Sequence, residues 1–387
     1  MASVRRQKLI LAAVVCSGVG AAAWIFYILA FARSPGQEWL VFYNAARLVF
    51  EGKLAALYDS DRFTAIMDQR FGMPSAGPHP WLYPPNFLLL LVPFGVLSFA
   101  ASLVLFLGVT FGAVMAAFST IAVRGRQLYA ASLILSPAAV LTVCLGQNAF
   151  LTGALLVGGF GMLARRPIVA GALLGLATYK PQLWLIVPIA LIAGRSWKAL
   201  ASALATGALF AAASVAAFGI RPWIDWISLM TGSSDVFNRW PAVGMLKDQS
   251  GYACIVMLGC SPELANLLQI AAALAAAGAV WWIYSRPAPK DLRLAVLLSA
   301  ALLATPHVMV YDAVLLVIAA TILFAHGLEE GFRPGELAVT LLAWTITAAP
   351  PSLFKIGVAT PLLILALIGA VLLRVRATGS VRAALPA

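Results

Sequence analysis

The sequence predicts an all-α, polytopic membrane protein, and three observations lead there. Of its 387 residues 62% are hydrophobic and 10% charged, where ordinary soluble domains carry about 25% charged residues. Apolar runs of spanning length recur along the chain, separated by short polar or basic stretches. The net charge of +12 falls on one set of loops, as the positive-inside rule expects of membrane proteins. A soluble or nucleic-acid-binding protein is excluded, because the basic balance reads as topology.

The first run, 9–32, follows Arg5, Arg6 and Lys8. It exceeds the apolar region of about 7–15 residues in a signal peptide, so it reads as an uncleaved anchor with a cytoplasmic N-terminus. The loop 33–85 is the longest non-spanning segment and is assigned to the outer face. It predicts two amphipathic surface helices. Trp39, Phe42, Tyr43, Ala46 and Phe50 recur at helical spacing until Gly52. Phe63, Ile66, Met67, Arg70 and Phe71 repeat the pattern after Asp61, a helix cap. A proline-rich stretch then leads to Tyr83-Pro84-Pro85.

Beyond it, 86–99 is a half-span interrupted by Pro93, and 100–123 crosses to Arg124 and Arg126. The run 128–145 goes out, Gly146-Gln147-Asn148 turns, and 149–164 returns to Arg165 and Arg166. Residues 168–194 would suffice for one tilted span. Yet Lys180 precedes Pro181 at their middle, and basic residues flank both ends. A residue before proline is biased away from helix, and broken helices at membrane depth are tolerated where they line a cavity. Two half-helices entering and leaving from the cytoplasmic side satisfy both facts, with Lys180 near the tip of a re-entrant loop. Reading 168–194 as a single crossing would place later basic loops outside.

The run 199–219 crosses to a second outer segment, 220–263, with Trp223, Trp226 and Trp240. The run 264–284 returns to Arg286, Lys290 and Arg293. Two short runs, 294–305 and 313–325, flank His307 and Asp312, so their junction should lie recessed. The last pair, 337–349 and 356–373, ends in Arg374 and Arg376. This makes about ten crossings plus partial helices in a single domain, 1–387, with the C-terminus also cytoplasmic. Cys254 and Cys260, in the second outer segment, leave a disulfide open.

Ionisable groups at membrane depth are costly, and each is therefore a candidate for function. Glu38, just past the first span, either caps a surface helix or acts as a base. Lys180 either pairs with Asp312 or binds a phosphate. Gln147 and Asn148 read first as turn residues. His79 and His307 stand alone, without metal-ligand spacing, and His326 reads as interfacial. No nucleotide-binding loop and no cofactor motif is visible. Broken helices with mid-depth charges also mark transporters and lipid flippases, although no internal repeat is present.

These pieces, taken in order, resemble glycosyltransferase family 87, a group with the GT-C fold that includes polyprenol-phosphate-mannose-dependent α-mannosyltransferases. Gly36 to Arg47, with Gly52 and Tyr58-Asp59, is similar to the family's pattern after the first span. Tyr83-Pro84-Pro85, Gly146-Gln147-Asn148, the stretch from Gly171 to Pro181, and Thr305-Pro306-His307 with Tyr311-Asp312 match later pieces. The family's acidic position is usually aspartate, and here it is Glu38, one methylene longer.

The resemblance implies an inverting transfer at the outer face of a bacterial cytoplasmic membrane. The donor would be a polyprenyl-phosphate-linked hexose such as mannose, and the acceptor a glycan or glycolipid hydroxyl. Glu38 would be the general base. Lys180, then Arg47, then His307 would meet the phosphate, with Asp312, Gln147 and Asn148 lining the site. Trp39, Tyr43 and Tyr83 would stack on sugar. A catalytically silent scaffold of the same descent is the other reading that Glu38 permits.

Overall fold

The computed structural model describes residues 2–31, 36–72, 80–121, 125–231, 248–346 and 359–383, with 2–6, 8–13, 31 and 378–383 described by backbone alone. His79, Arg124, Trp240 and the connection 347–358 lie outside the described residues. Every regular element among those residues is a helix. In hydrocarbon, a helix satisfies its own backbone polar groups. The protein is an all-α polytopic membrane protein.

In chain order, α1 (Ala2–Phe31) leads to the surface helices α2 (Gln37–Phe50) and α3 (Ser60–Phe71). Asp59, not Asp61, caps α3, accepting the Arg62 N–H at 3.1 Å. Gly52 ends the first segment as expected, with φ 65°. Arg70 ties the two helices together by bonding Glu51 at 2.7 Å and Asn44 at 3.0 Å. Its hydrogen bonds hold the Glu51 carboxyl at about 2, against an ordinary 4.5.

The short α4 (Asn86–Leu91) precedes the full-length α5 (Phe99–Ile121). Helices α6 (Arg126–Leu135) and α7 (Pro137–Leu145) form one run bent by 60°. Pro137 opens the second half, and Ser136 caps it through the Ala139 N–H. Next come α8 (Ala149–Met162), α9 (Pro167–Leu176), α10 (Pro181–Trp184), α11 (Ile186–Ala193) and the full-length α12 (Trp197–Phe218). The segment 220–263 contributes α13 (Arg221–Thr231) and α14 (Gly251–Met257). It meets the first loop where Trp226 Nε1 donates to the Leu82 carbonyl at 3.1 Å. The chain ends in α15 (Pro262–Tyr284), α16 (Lys290–Ala304), α17 (Val314–Glu330), α18 (Glu336–Thr345) and α19 (Thr360–Ala383).

About ten crossings were expected. Among the described residues five helices have spanning length and composition, or six with the bent pair, and further apolar helices run 10–17 residues. Breaks at Pro137, Gly146 and Lys180-Pro181 shorten them. One helix differs from the other spans. The apolar window of Val310–Glu330 is 94% buried within the protein, against 22% for α5 and α12. So α17 is a central pillar sheathed by protein, and the loop leading into it is buried at Asp312 but exposed at Pro306 and His307, so the recess expected of the junction holds at its Asp312 end alone.

The stretch 168–194 is a hairpin. Ser202 Oγ donates to the Ile168 carbonyl, a Cβ on Gly171 would meet Ala199 O, and one on Gly175 would meet Ala203 O. Contacts that climb together in number mean that α9 and α12 run parallel, closely apposed through small residues. The chain between them must therefore turn back. Trp184 Nε1 closes the turn by donating to the Leu174 carbonyl at 2.8 Å. Pro181 causes the break, because it restricts Lys180, which has φ −127° and ψ 72°.

At the opposite end from the hairpin tip, His326 is buried rather than interfacial. Its Nε2 lies 2.8 Å from the Asp291 carboxylate. Arg374 is also buried there, bonding Glu330 at 2.9 Å and Glu336 at 2.6 Å. This network joins α16, α17, α18 and α19. Cys254 and Cys260 form no disulfide.

The hairpin makes a topological prediction. Cysteines introduced at Arg166 and Lys198 should react with an impermeant maleimide from the same side of the membrane. Labelling from opposite sides would require a single crossing.

Candidate active site

Two glycines bring the site together. Gly36 precedes α2 and Gly146 closes α7, with left-handed φ of 75° and 74°. The Gly36 N–H donates to the Cys144 carbonyl at 2.8 Å. A Cβ on Gly146 would stand 2.6 Å from Trp39 Cβ and 3.4 Å from Gly36 Cα. Backbone therefore touches backbone, an approach and a conformation that glycine alone permits. Trp39 clamps the contact from inside. Its Nε1 donates to Ser102 Oγ at 2.9 Å and its ring lies 4.6 Å from that of Phe106. At 1% exposure it is a core anchor and cannot stack on a sugar.

The contact sets Glu38, in the first turn of α2, against the turn 146–148. Gln147 Nε2 donates to Glu38 Oε2 at 3.5 Å. Gln147 Oε1 accepts the Asn148 N–H at 3.2 Å. Asn148 then divides its side chain. Its Nδ2 donates to the Tyr83 hydroxyl at 2.9 Å, and its Oδ1 accepts from Lys180 Nζ at 3.3 Å. Lys180 ends the line on Asp312 Oδ1, at 2.5 Å. Six of the predicted site residues (Glu38, Tyr83, Gln147, Asn148, Lys180 and Asp312) thus form one polar line. They come from α2, the Pro84-Pro85 turn, the α7–α8 turn, the hairpin tip and the turn before α17.

The line runs from half-buried to sealed. Glu38 and Tyr83 are half-buried, whereas the Lys180 and Asp312 side chains are each 3% exposed. Lys180 also lies over the Tyr311 ring, 5.3 Å from its centroid. A buried pair of this kind costs desolvation that only close geometry and further hydrogen bonds offset. Lys180 is therefore committed to Asp312, and binding a phosphate would require that pair to open. Burial, with the charge of Asp312 next and smaller contributions from Tyr179 and Glu38, pushes the Tyr83 phenol well above its ordinary 10. It stays protonated and can donate as well as accept.

Three predicted residues lie elsewhere. Tyr43 donates its hydroxyl to the Leu97 carbonyl at 2.8 Å. Arg47 donates to the Gly95 carbonyl at 3.3 Å and pairs with Glu51 at 3.8 Å. Nine residues along a helix is about 14 Å and half a turn past whole turns, so Arg47 points away from Glu38. His307 sits in the loop before α17, with Nδ1 3.0 Å from Asp248 Oδ2.

The sequence reading missed Tyr179, Thr152, Tyr311 and Asp248. Thr152 and Tyr179 share a 2.6 Å hydrogen bond beneath Asn148. Tyr179 and Tyr311 each adjoin a predicted residue, and a hydroxyl breaking an apolar run was a legible signal. Asp248 gave none. Among the described residues, no group of three or more His, Cys, Asp or Glu is placed to hold a metal ion.

The site thus sets a half-buried carboxylate at the mouth of a polytopic helical bundle, backed by sealed polar groups. The model of glycosyltransferase family 87 matches residues 81–306, more than half of the chain. The chain belongs to this family and is a membrane glycosyltransferase. The match holds every member of the polar line except Glu38 and Asp312. No curated protein and no solved structure gave a match.

Lys180→Met is expected to cost about 3–5 kcal/mol, because it strands the Asp312 carboxylate. The double variant Lys180→Met with Asp312→Leu should recover most of the loss in thermal midpoint. Gly146→Ala should cost on the order of 2 kcal/mol, from strained φ and overpacking against Trp39; the denaturation midpoint in detergent checks it.

Proposed function

We propose that the chain moves a hexose from a polyprenyl-phosphate donor to a hydroxyl of a glycan or glycolipid at the outer face of a bacterial cytoplasmic membrane. Mannose comes from the family resemblance. The observation that carries the reading is Glu38, a half-buried carboxylate at a helix N-terminus where the surface loop meets the bundle. Glu38 takes the proton of the acceptor hydroxyl as its oxygen attacks the anomeric carbon. The bond from that carbon to the phosphate oxygen breaks on the opposite side, which inverts the configuration. The leaving group is the polyprenyl phosphate.

The other residues support that step. Gln147 orients the Glu38 carboxylate. Asn148 and the neutral Tyr83 offer donors and acceptors to sugar hydroxyls. Lys180 and Asp312 hold Asn148 in place from below. A leaving phosphate needs a cation. With Lys180 committed, the half-exposed His307 is the better placed of the three predicted cations. No cofactor enters this scheme.

Purified protein should transfer sugar from polyprenyl-phosphate donors to a panel of acceptors. Glu38→Gln should lower kcat by roughly 100-fold or more while the donor KM stays near the native value. Transfer undiminished in Glu38→Gln removes the base assignment. No transfer by the native protein with any donor favours the silent scaffold.

A further inference from the structure

Asp248 is a buried carboxylate that the scheme above leaves without a part, and unlike the buried Glu336 it pairs with a predicted site residue. It lies within the segment 220–263 and meets the loop before α17 by a backbone bridge to Met309. The Gln249 N–H donates to the Val308 carbonyl beside it, at 2.6 Å. The carboxylate itself is 6% exposed. Its Oδ1 accepts two backbone N–H groups, from Ser250 at 2.8 Å and Val308 at 3.1 Å. Those bonds fix the plane of the carboxylate and leave Oδ2 aimed at His307 Nδ1, 3.0 Å away. A carboxylate accepts hydrogen bonds and gives none, so Nδ1 carries the proton. Nε2 then lies on the far edge of the ring, and the His307 side chain is 47% exposed. One wall of the dyad is immobile and the other reaches out of the protein.

We propose that Asp248 is a positioning residue for His307, forming a carboxylate–imidazole dyad that presents Nε2 to the phosphate of the lipid-linked donor. This rests on the donor reading above. Four residues stand between His307 and Asp312, so the dyad and the sealed Lys180–Asp312 pair sit at the exposed and buried ends of one loop. The lysine pair anchors that loop and the dyad faces substrate. At metal-bound histidines, loss of the outer partner that orients the ring typically costs about 10–100-fold in affinity or activity, and the same order is expected for a histidine held to a phosphate.

The competing account is that Asp248 only staples the two loops. Asp248→Asn separates the two. Asparagine keeps an oxygen for the Ser250 and Val308 amides, so the staple survives. Its amide nitrogen donates and cannot accept from Nδ1–H, so Nδ1 must give up its proton to keep the contact, and the ring loses the positive charge that Nε2–H would bring to the phosphate. Three measurements on full-length protein decide it: thermal midpoint, donor kcat/KM, and affinity for polyprenyl phosphate, the last in a Glu38→Gln background. Asp248→Asn should leave the midpoint near native and weaken donor kcat/KM and polyprenyl-phosphate affinity by roughly tenfold or more. His307→Gln should do the same, and the double variant should be no worse than His307→Gln alone.

Donor kcat/KM within twofold of native in Asp248→Asn, or full additivity in the double variant, overturns the proposal. So does a fallen midpoint whose loss accounts for all the lost activity in both Asp248→Asn and the milder Asp248→Glu. Failure of the underlying reading looks different: the native protein itself would bind no polyprenyl phosphate.

Discussion

The buried pair between Lys180 and Asp312 is the constraint on which the site depends. Each ion is sealed from water, and separating them inside the protein would leave an uncompensated charge. Two distant pieces of chain, the tip of the α9–α11 hairpin and the turn before α17, must therefore meet at one point. Asn148 joins them because its amide is held by the same ammonium. Everything nearer the surface is built outward from that junction: Tyr83 on the side-chain amide of Asn148, and Gln147 with Glu38 through its backbone N–H.

A second contact acts at the mouth. Gly36 and Gly146 let two backbones meet where side chains would hold them apart. That approach, rather than any strong bond, brings Glu38 to Gln147, since their hydrogen bond is long at 3.5 Å. The region matched by the family begins at residue 81, after Glu38. The carboxylate thus reaches the matched part of the chain through glycine packing and the buried indole of Trp39.

Much of this was legible in the residues. Hydropathy and charge predicted the bundle, because both follow from the cost of polar groups in hydrocarbon. The break at Lys180-Pro181 was legible because proline restricts the residue before it. Both surface helices showed their apolar spacing. Capping was less so: the sequence reading offered Asp61, and the backbone geometry chose Asp59. Trp39, Tyr43 and Arg47 misled because aromatic and basic residues after a span resemble a binding face. All three are spent on packing and on main-chain carbonyls.

By itself the sequence determined the class of protein, the hairpin at Lys180 and six of the residues that converge. These depend on local rules: period, charge bias and proline geometry. Only the tertiary structure decided which cation is committed and which faces outward. It paired Lys180 with Asp312, set Arg47 on the far side of α2, and gave His307 a partner in Asp248 from a segment without any sequence signal. Those outcomes turn on approach between residues far apart in the chain, and no local pattern records such distances.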